Sequence, residues 1–195
     1  MVRKQLRLKR QENLARGLRS VTEQLAPDME VAIVAANKAY AALGVRYALV
    51  GALASGAQGR PRNTDDIDFL VGDEAFDRSG IIISFKLGMP LQAGEHAIDP
   101  IPLPVEEVRH RLLDAAMNEP LVDTTLGVPV PILPATALAF MKLASPRAKD
   151  LGDVVEMIQA GTVNLRELAV AVELDADRRM VERLKSALAE VEDND

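Results

Sequence analysis

The chain of 195 residues is 48% hydrophobic with a net charge of −6, which is enough apolar material for one substantial core and an overall balance that argues against broad binding of duplex nucleic acid. It has no cysteine and two histidines, His96 and His110, which removes disulfides, thiol catalysis and Cys-rich zinc sites and leaves little scope for a His-based metal cluster. No apolar run approaches the roughly 18 residues of a membrane span, the basic N-terminus lacks the apolar segment of a signal peptide, and aromatic residues are too few for a base-stacking platform, so a cytoplasmic protein without membrane association is expected.

Seven basic residues (Arg3, Lys4, Arg7, Lys9, Arg10, Arg16, Arg19) crowd the start of the chain against Glu12. They read as the solvated face of an amphipathic helix, with contact to RNA or an acidic partner as the other reading. Leu14, Leu18, Val21 and Leu25 recur at helical spacing. After Pro27 a second helix is predicted with Met29, Ile33, Ala36, Tyr40 and Leu43 on one face, stopping at Gly44. Tyr47 to Val50 is a β-prone run, and Gly51 opens a sharp turn into a short helix.

Beyond Arg60 and Arg62 comes a second strand, in which Ile67, Phe69 and Val71 alternate with Asp66, Asp68 and Leu70. Further strands are predicted at Ile81–Phe85 and around Ile98, a helix at Val105–Asn118, and a hairpin from Leu121 to Leu133 turning near Gly127. From Pro134 onward the pattern is helical, with Asn164-x-x-Glu167 as a capping box and Val181, Leu184, Leu188 and Val191 as an apolar stripe. The expected fold is α+β, a mixed sheet flanked by helices, in three regions: N-terminal helices at 1–44, an α/β core at 45–133 and a helical region at 134–195.

The chemistry concentrates between Gly51 and Asp68. A glycine after a strand lets backbone N–H groups approach a phosphate closely. The i, i+2 spacing turns Asp66 and Asp68 to the same side of a strand, where two carboxylates repel unless a cation lies between them. An all-oxygen ligand set suits Mg²⁺, and two such ions would support in-line phosphoryl or nucleotidyl displacement. The bland alternative is a solvated strand end.

These residues carry a resemblance. The stretch from Gly51 to Asp68 resembles the signature of the nucleotidyltransferase fold, the DNA polymerase β-like superfamily. Its Arg62-x-Thr64-x-Asp66-x-Asp68 spelling is most similar to the branch containing AbiEii-type abortive-infection toxins. The likeness covers roughly residues 45 to 160. It implies a Mg²⁺-dependent enzyme that moves a nucleoside monophosphate from a nucleoside triphosphate to an acceptor hydroxyl on tRNA or protein, in a toxin–antitoxin or phage-defence setting with an antitoxin partner. It further implies that Asp66, Asp68 and a third carboxylate from a later strand, by position Asp99, hold two Mg²⁺ ions and perform the catalysis. Gly51, Ala52, Arg62, Thr64, Lys142 and Lys149 would contact the nucleotide.

The bland reading of Asp99 is a carboxylate ending a strand before Pro100. Ala52 stands where the family has glycine or serine, so a phosphate-binding hydroxyl is absent and backbone amides would serve instead. Two other readings stay open: a small-molecule transferase of the antibiotic-modifying sort, and a degenerate domain that binds nucleotide or a partner without catalysis. In Arg147-Ala148-Lys149-Asp150-Leu151-Gly152-Asp153, helical spacing would pair Arg147 with Asp150 and Lys149 with Asp153. Base-before-acid order near a helix start makes poor stabilising pairs, and cations held for a triphosphate explain the pattern better. His96 is close enough in sequence to Asp99 for a minor site role.

Overall fold

The structure, a computed structural model, describes residues 17–24 and 28–193. The predicted first helix is seen as α1 (Gly17–Thr22), with Leu18 and Val21 in the core; Leu14, Leu25 and the basic residues before Gly17 lie outside the described residues. Helix α2 (Asp28–Leu43) opens with Asp28 and Glu30 in its first turn, where carboxylates suit the positive helix end, and stops at Gly44, whose φ of 65° is left-handed. It buries Met29, Ile33, Ala36 and Tyr40, which recur at the spacing of one helical face.

The remaining elements are β1 (Tyr47–Leu49), α3 (Gly51–Gln58), β2 (Ile67–Val71), β3 (Phe76–Ser79), β4 (Ile82–Phe85), β5 (Gln92–Ala93), β6 (His96–Pro102), α4 (Glu107–Asn118), β7 (Leu121–Asp123), β8 (Val130–Ile132), α5 (Ala135–Ala144), α6 (Ala148–Gln159), α7 (Leu165–Asp175) and α8 (Arg178–Asp193). The architecture is α+β. Six strands form one mixed sheet in the order β5-β6-β2-β1-β8-β7, and β3 pairs with β4 in a separate ribbon. Within the sheet β2 runs antiparallel to β1 and parallel to β6, while β1 runs parallel to β8.

Strand β2 lies in the interior of this sheet, with β1 on one side and β6 on the other, and both of its faces are covered. Ile67, Phe69, Leu70 and Val71 are all fully buried, and Asp68 alone is half-buried. On one face Phe69 meets Tyr40 of α2, ring centroids 4.9 Å apart, and Tyr40 stacks on Tyr47 at 5.1 Å. Asp68 points to the other face, towards α3. Helix α3 is made of small residues (GALASGAQ) and is buried along its whole length beyond Gly51. The same economy of side chain at Gly59 lets α6 pass close: a Cβ there would lie 3.1 Å from the Met157 backbone nitrogen.

Three expectations need correction. The Ile81–Phe85 strand does not enter the main sheet; it pairs through β4 with β3 and leaves Ile81, Ile82 and Ile83 exposed. On α8 the predicted stripe packs against the core, with Leu184 buried and Val181, Leu188 and Val191 partly buried, but the buried line also takes in Met180 and Ala187, which the stripe left out. Helix α4 begins at Glu107, later than the predicted Val105, which is exposed. The capping box at Asn164 is present in its forward bond: the Asn164 side chain accepts from the Glu167 backbone N–H at 3.3 Å. None of the described helices is long and apolar enough to cross a membrane.

Candidate functional site

The parallel ladder between β2 and β6 sets Asp68 opposite Asp99 as Cα partners. Neighbouring strands lie about 4.8 Å apart, and residues in register share a face, so the two carboxylates stand side by side. Asp66 sits two residues before Asp68, just outside the strand. The exposure of Asp66 and Asp99 contrasts with the half-burial of Asp68. Burial pushes the Asp68 carboxyl above its ordinary range, and the charges of Asp99 and Asp66 push it further. The three predicted carboxylates are therefore one electrostatic group.

Gly51 borders this group. Its φ is 67°, and a Cβ in its place would overlap the Asp68 carboxylate, so glycine is required by conformation and by space together. It opens α3, whose N-cap, Val50, offers no side-chain hydrogen bond. Val50 itself is pinned by its N–H donating to the Asp68 carbonyl at 2.9 Å, which fixes the helix start against the carboxylate strand. Ala52 is buried in the first turn. Backbone N–H groups at an uncapped helix start suit an anion.

The predicted cations are arranged differently from expectation. Lys142, in the last turn of α5, is buried, and its Nζ donates to Asp150 Oδ1 at 3.0 Å and Asp153 Oδ2 at 2.7 Å. Arg62 reaches the same carboxylate from the loop after α3, through Nε to Asp153 Oδ1 at 2.8 Å and Nη2 to Oδ2 at 3.1 Å. Asp150 also accepts from Ser145 Oγ and from Arg147 Nε, both at 2.6 Å. Burial alone would push the Asp150 carboxyl up, but the Ser145 hydroxyl together with Lys142 and Arg147 holds it below its ordinary value.

The Arg147–Asp150 helical pair thus forms, whereas the Lys149–Asp153 pair does not, because Asp153 already has Lys142 and Arg62. Lys149 is exposed, with no ion pair among the described residues. Thr64 makes long bonds with the Asp66 backbone, its Oγ1 lying 3.4 Å from both the Asp66 N–H and carbonyl oxygen. His96 does not join the site. It is three residues from Asp99 on an alternating strand and so faces the opposite side, its Nδ1 lying 3.3 Å from the Asp65 carbonyl oxygen and its Nε2 3.3 Å from Asp28.

Asp153 is the component that helical spacing misassigned, and for Asp150 the spacing found Arg147 but missed Lys142. Their spacing of three on α6 puts both on one face, and their buried partner Lys142 lies on the preceding helix. The two clusters interact: Lys142 and Arg147 pull the Asp68 carboxyl down, and Asp68 contributes to raising the Arg62 guanidinium. Asp68 thus lies in the field of the carboxylates of Asp99 and Asp66 and of the cations Lys142 and Arg147.

Among the described residues no three carboxylate or imidazole groups close into a ready-made cage for a metal. The donor set nonetheless fits Mg²⁺, which keeps several waters and takes one or two carboxylates together with substrate phosphates. Asp68 brings unpaired oxygens, with no side-chain hydrogen-bond donor among the described residues, and Asp66 and Asp99 lie beside it. No family model matches the chain, and no curated protein matches it.

Proposed function

We propose that the protein is a Mg²⁺-dependent nucleotidyltransferase with a nucleotidyltransferase-like fold, in which Asp66, Asp68 and Asp99 hold the metal and Gly51 opens the phosphate cradle. The observation that carries this reading is the meeting of Asp68, its register partner Asp99 and the uncapped start of α3 at Gly51. A carboxylate group and a set of backbone N–H donors at one place suit a metal–phosphate complex better than either ligand alone.

Bound Mg²⁺ would polarise the α-phosphorus and help an acceptor hydroxyl to ionise. Asp66, Asp68 and Asp99 would hold that ion, and with it the triphosphate. The acceptor oxygen forms a bond to the α-phosphorus as the bond to pyrophosphate breaks, and its proton passes to the carboxylate group. The first amides of α3, at Gly51 and Ala52, donate to phosphate oxygens. Arg62 and Lys142, now paired with Asp153 and Asp150, are beside the carboxylates and available to phosphate only by exchanging partners. Lys149 supplies an exposed cation on the adjoining helix.

The acceptor classes that fit are a hydroxyl of tRNA or protein, with a small antibiotic-like alcohol as the alternative; a toxin–antitoxin role with an antitoxin partner belongs to the first class. Incubation with each α-labelled nucleoside triphosphate, Mg²⁺ and total tRNA, a protein extract or an aminoglycoside panel tests the reading through label transfer and pyrophosphate release. Label transferred by wild type and absent from Asp68→Asn supports it; transfer that survives the substitution overturns the site.

A second reading is favoured by the closed pairing of Arg62 and Lys142 and by Ala52: a domain that binds nucleotide or a partner without transfer. Nucleotide binding with equal affinity in EDTA selects it.

A further inference from the structure

A cavity lies away from the carboxylates. It has a volume of about 410 Å³ between α4, α5 and α7 and is walled by apolar side chains including Leu113, Phe140 and Ala171. That size falls in the range of small-molecule sites, roughly 300–1,000 Å³. Its polar members are distinctive. Gln58, at the last position of α3, is 4% exposed and lines the cavity. Its Nε2 donates to the carbonyls of Ala54 at 3.2 Å and Leu133 at 2.9 Å, and two carbonyl partners fix that end of the amide as the nitrogen.

The Gln58 Oε1 is consequently an acceptor, buried without a donor among the described residues and out of reach of a ligand in the cavity, so the accessible acceptors are other side chains. Glu119 and Glu167 also line the cavity, and both are exposed and have no ion pair or side-chain hydrogen bond among the described residues. Thr136 and Thr162 add hydroxyls, and the lining contains no lysine, arginine or histidine. Thr162 already donates, to the Gln58 carbonyl at 2.7 Å and the Met157 carbonyl at 3.0 Å.

From this we infer that the cavity between α4, α5 and α7 is a binding site for a small amphipathic amine, its apolar body against Leu113, Phe140 and Ala171 and its cationic N–H groups toward Glu119 and Glu167. Acceptors without any cationic lining residue select a donor-rich cation and reject an anion. Gln58 ends the helix that Gly51 begins, so the cavity stands about 12 Å from the carboxylate group, one length of an eight-residue helix. An amine held there is an effector rather than a reacting group, and its binding does not depend on the transfer reading.

The test uses the full-length protein and three matched probes, 1-naphthylmethylamine, 1-naphthylmethanol and 1-naphthylacetate, titrated by calorimetry and by amide chemical-shift perturbation. The amine is expected to bind at least tenfold tighter than the alcohol, with the acetate weakest and the shifts centred on α4, α5 and α7. Ala171→Phe, which fills the cavity, should weaken all three at least tenfold. Glu119→Gln with Glu167→Gln should erase the advantage of the amine over the alcohol while the alcohol still binds, which keeps the proposal testable if the filled variant folds poorly. Acetate binding as tightly as the amine, an amine advantage that survives the double substitution, or no binding of the amine to wild type up to its solubility limit would overturn it.

Discussion

Arg62 and Asp153 face each other as a two-pronged pair, Nε to Oδ1 at 2.8 Å and Nη2 to Oδ2 at 3.1 Å, joining the loop after α3 to the middle of α6. This geometry gives both energy and direction. Asp153 receives Lys142 on the same carboxylate, so a single aspartate orients two of the cations that interact with Asp68. Asp153→Ala should therefore cost about 3–5 kcal/mol, chiefly because Lys142 is left as a poorly compensated buried charge. Urea unfolding measures it, and adding Lys142→Met to Asp153→Ala should recover part of the loss. A cost below about 1 kcal/mol would mean that the pairing is no more than a surface contact.

Much of this arrangement was legible in the chain. Alternation placed Asp66 and Asp68 together, and Gly51 after an apolar strand marked the turn. The ladder adds what alternation cannot, that Asp99 is the register partner of Asp68. Spacing arithmetic failed at Asp153 for a physical reason. It compares residues on one helix, whereas the partners of Asp153 are Arg62, distant in sequence, and Lys142 on the preceding helix. Burial decides between such partners, and burial is a tertiary property. The β3–β4 ribbon was half-visible: Ile82–Phe85 carries strand character, but its mate Phe76–Ser79 shows no apolar alternation, and the pairing is set by the turn at Gly80, with φ 62°.

Asp68 predicts a pH dependence of stability. Its folded carboxyl is raised above the unfolded range by burial first, then by Asp99 and Asp66. The native state consequently binds its proton at higher pH than the unfolded chain does. Stability is lower where Asp68 is ionised and improves as pH falls from above its folded value towards the ordinary carboxylate range. Asp68→Asn removes the penalty. It should be the more stable protein at pH 7 in EDTA, with the advantage shrinking as pH drops through that window, as followed by thermal melts. An equal advantage for wild type at every pH would show that Asp68 is not under like-charge pressure.

Gly51 should resist replacement. Alanine there meets a positive φ and the Asp68 carboxylate at once, and strain of this kind costs about 1–3 kcal/mol. Gly51→Ala should lower the unfolding midpoint and abolish nucleotide binding in calorimetry. Ala52→Ser, one residue on in the buried first turn of α3, should keep binding or strengthen it, since a hydroxyl adds a donor at the helix start. Binding undiminished in Gly51→Ala would remove this turn from the proposed cradle.

Catalyst and passive binder part company over how metal and nucleotide depend on each other. Asp66, Asp68 and Asp99 repel one another around the half-buried Asp68, so a triphosphate approaching without a cation meets negative charge. A transfer site should bind the two together, because the ion offsets the repulsion and shares oxygens with the phosphates. A ligand at about a hundred times its dissociation constant adds about 2.7 kcal/mol to native stability. Thermal melting should therefore show little change with nucleotide in EDTA, little with Mg²⁺ alone, and a clear rise with both. Asp68→Asn should remove the joint increment while leaving the metal-free melting temperature equal to or above that of wild type. Nucleotide stabilising wild type equally with and without Mg²⁺ would assign the site at Gly51 to binding without transfer. If no combination produced a shift, nucleotide would be ruled out at this site, and the pairing of Lys142, Arg62 and Arg147 with Asp150 and Asp153 would stand as a structural network.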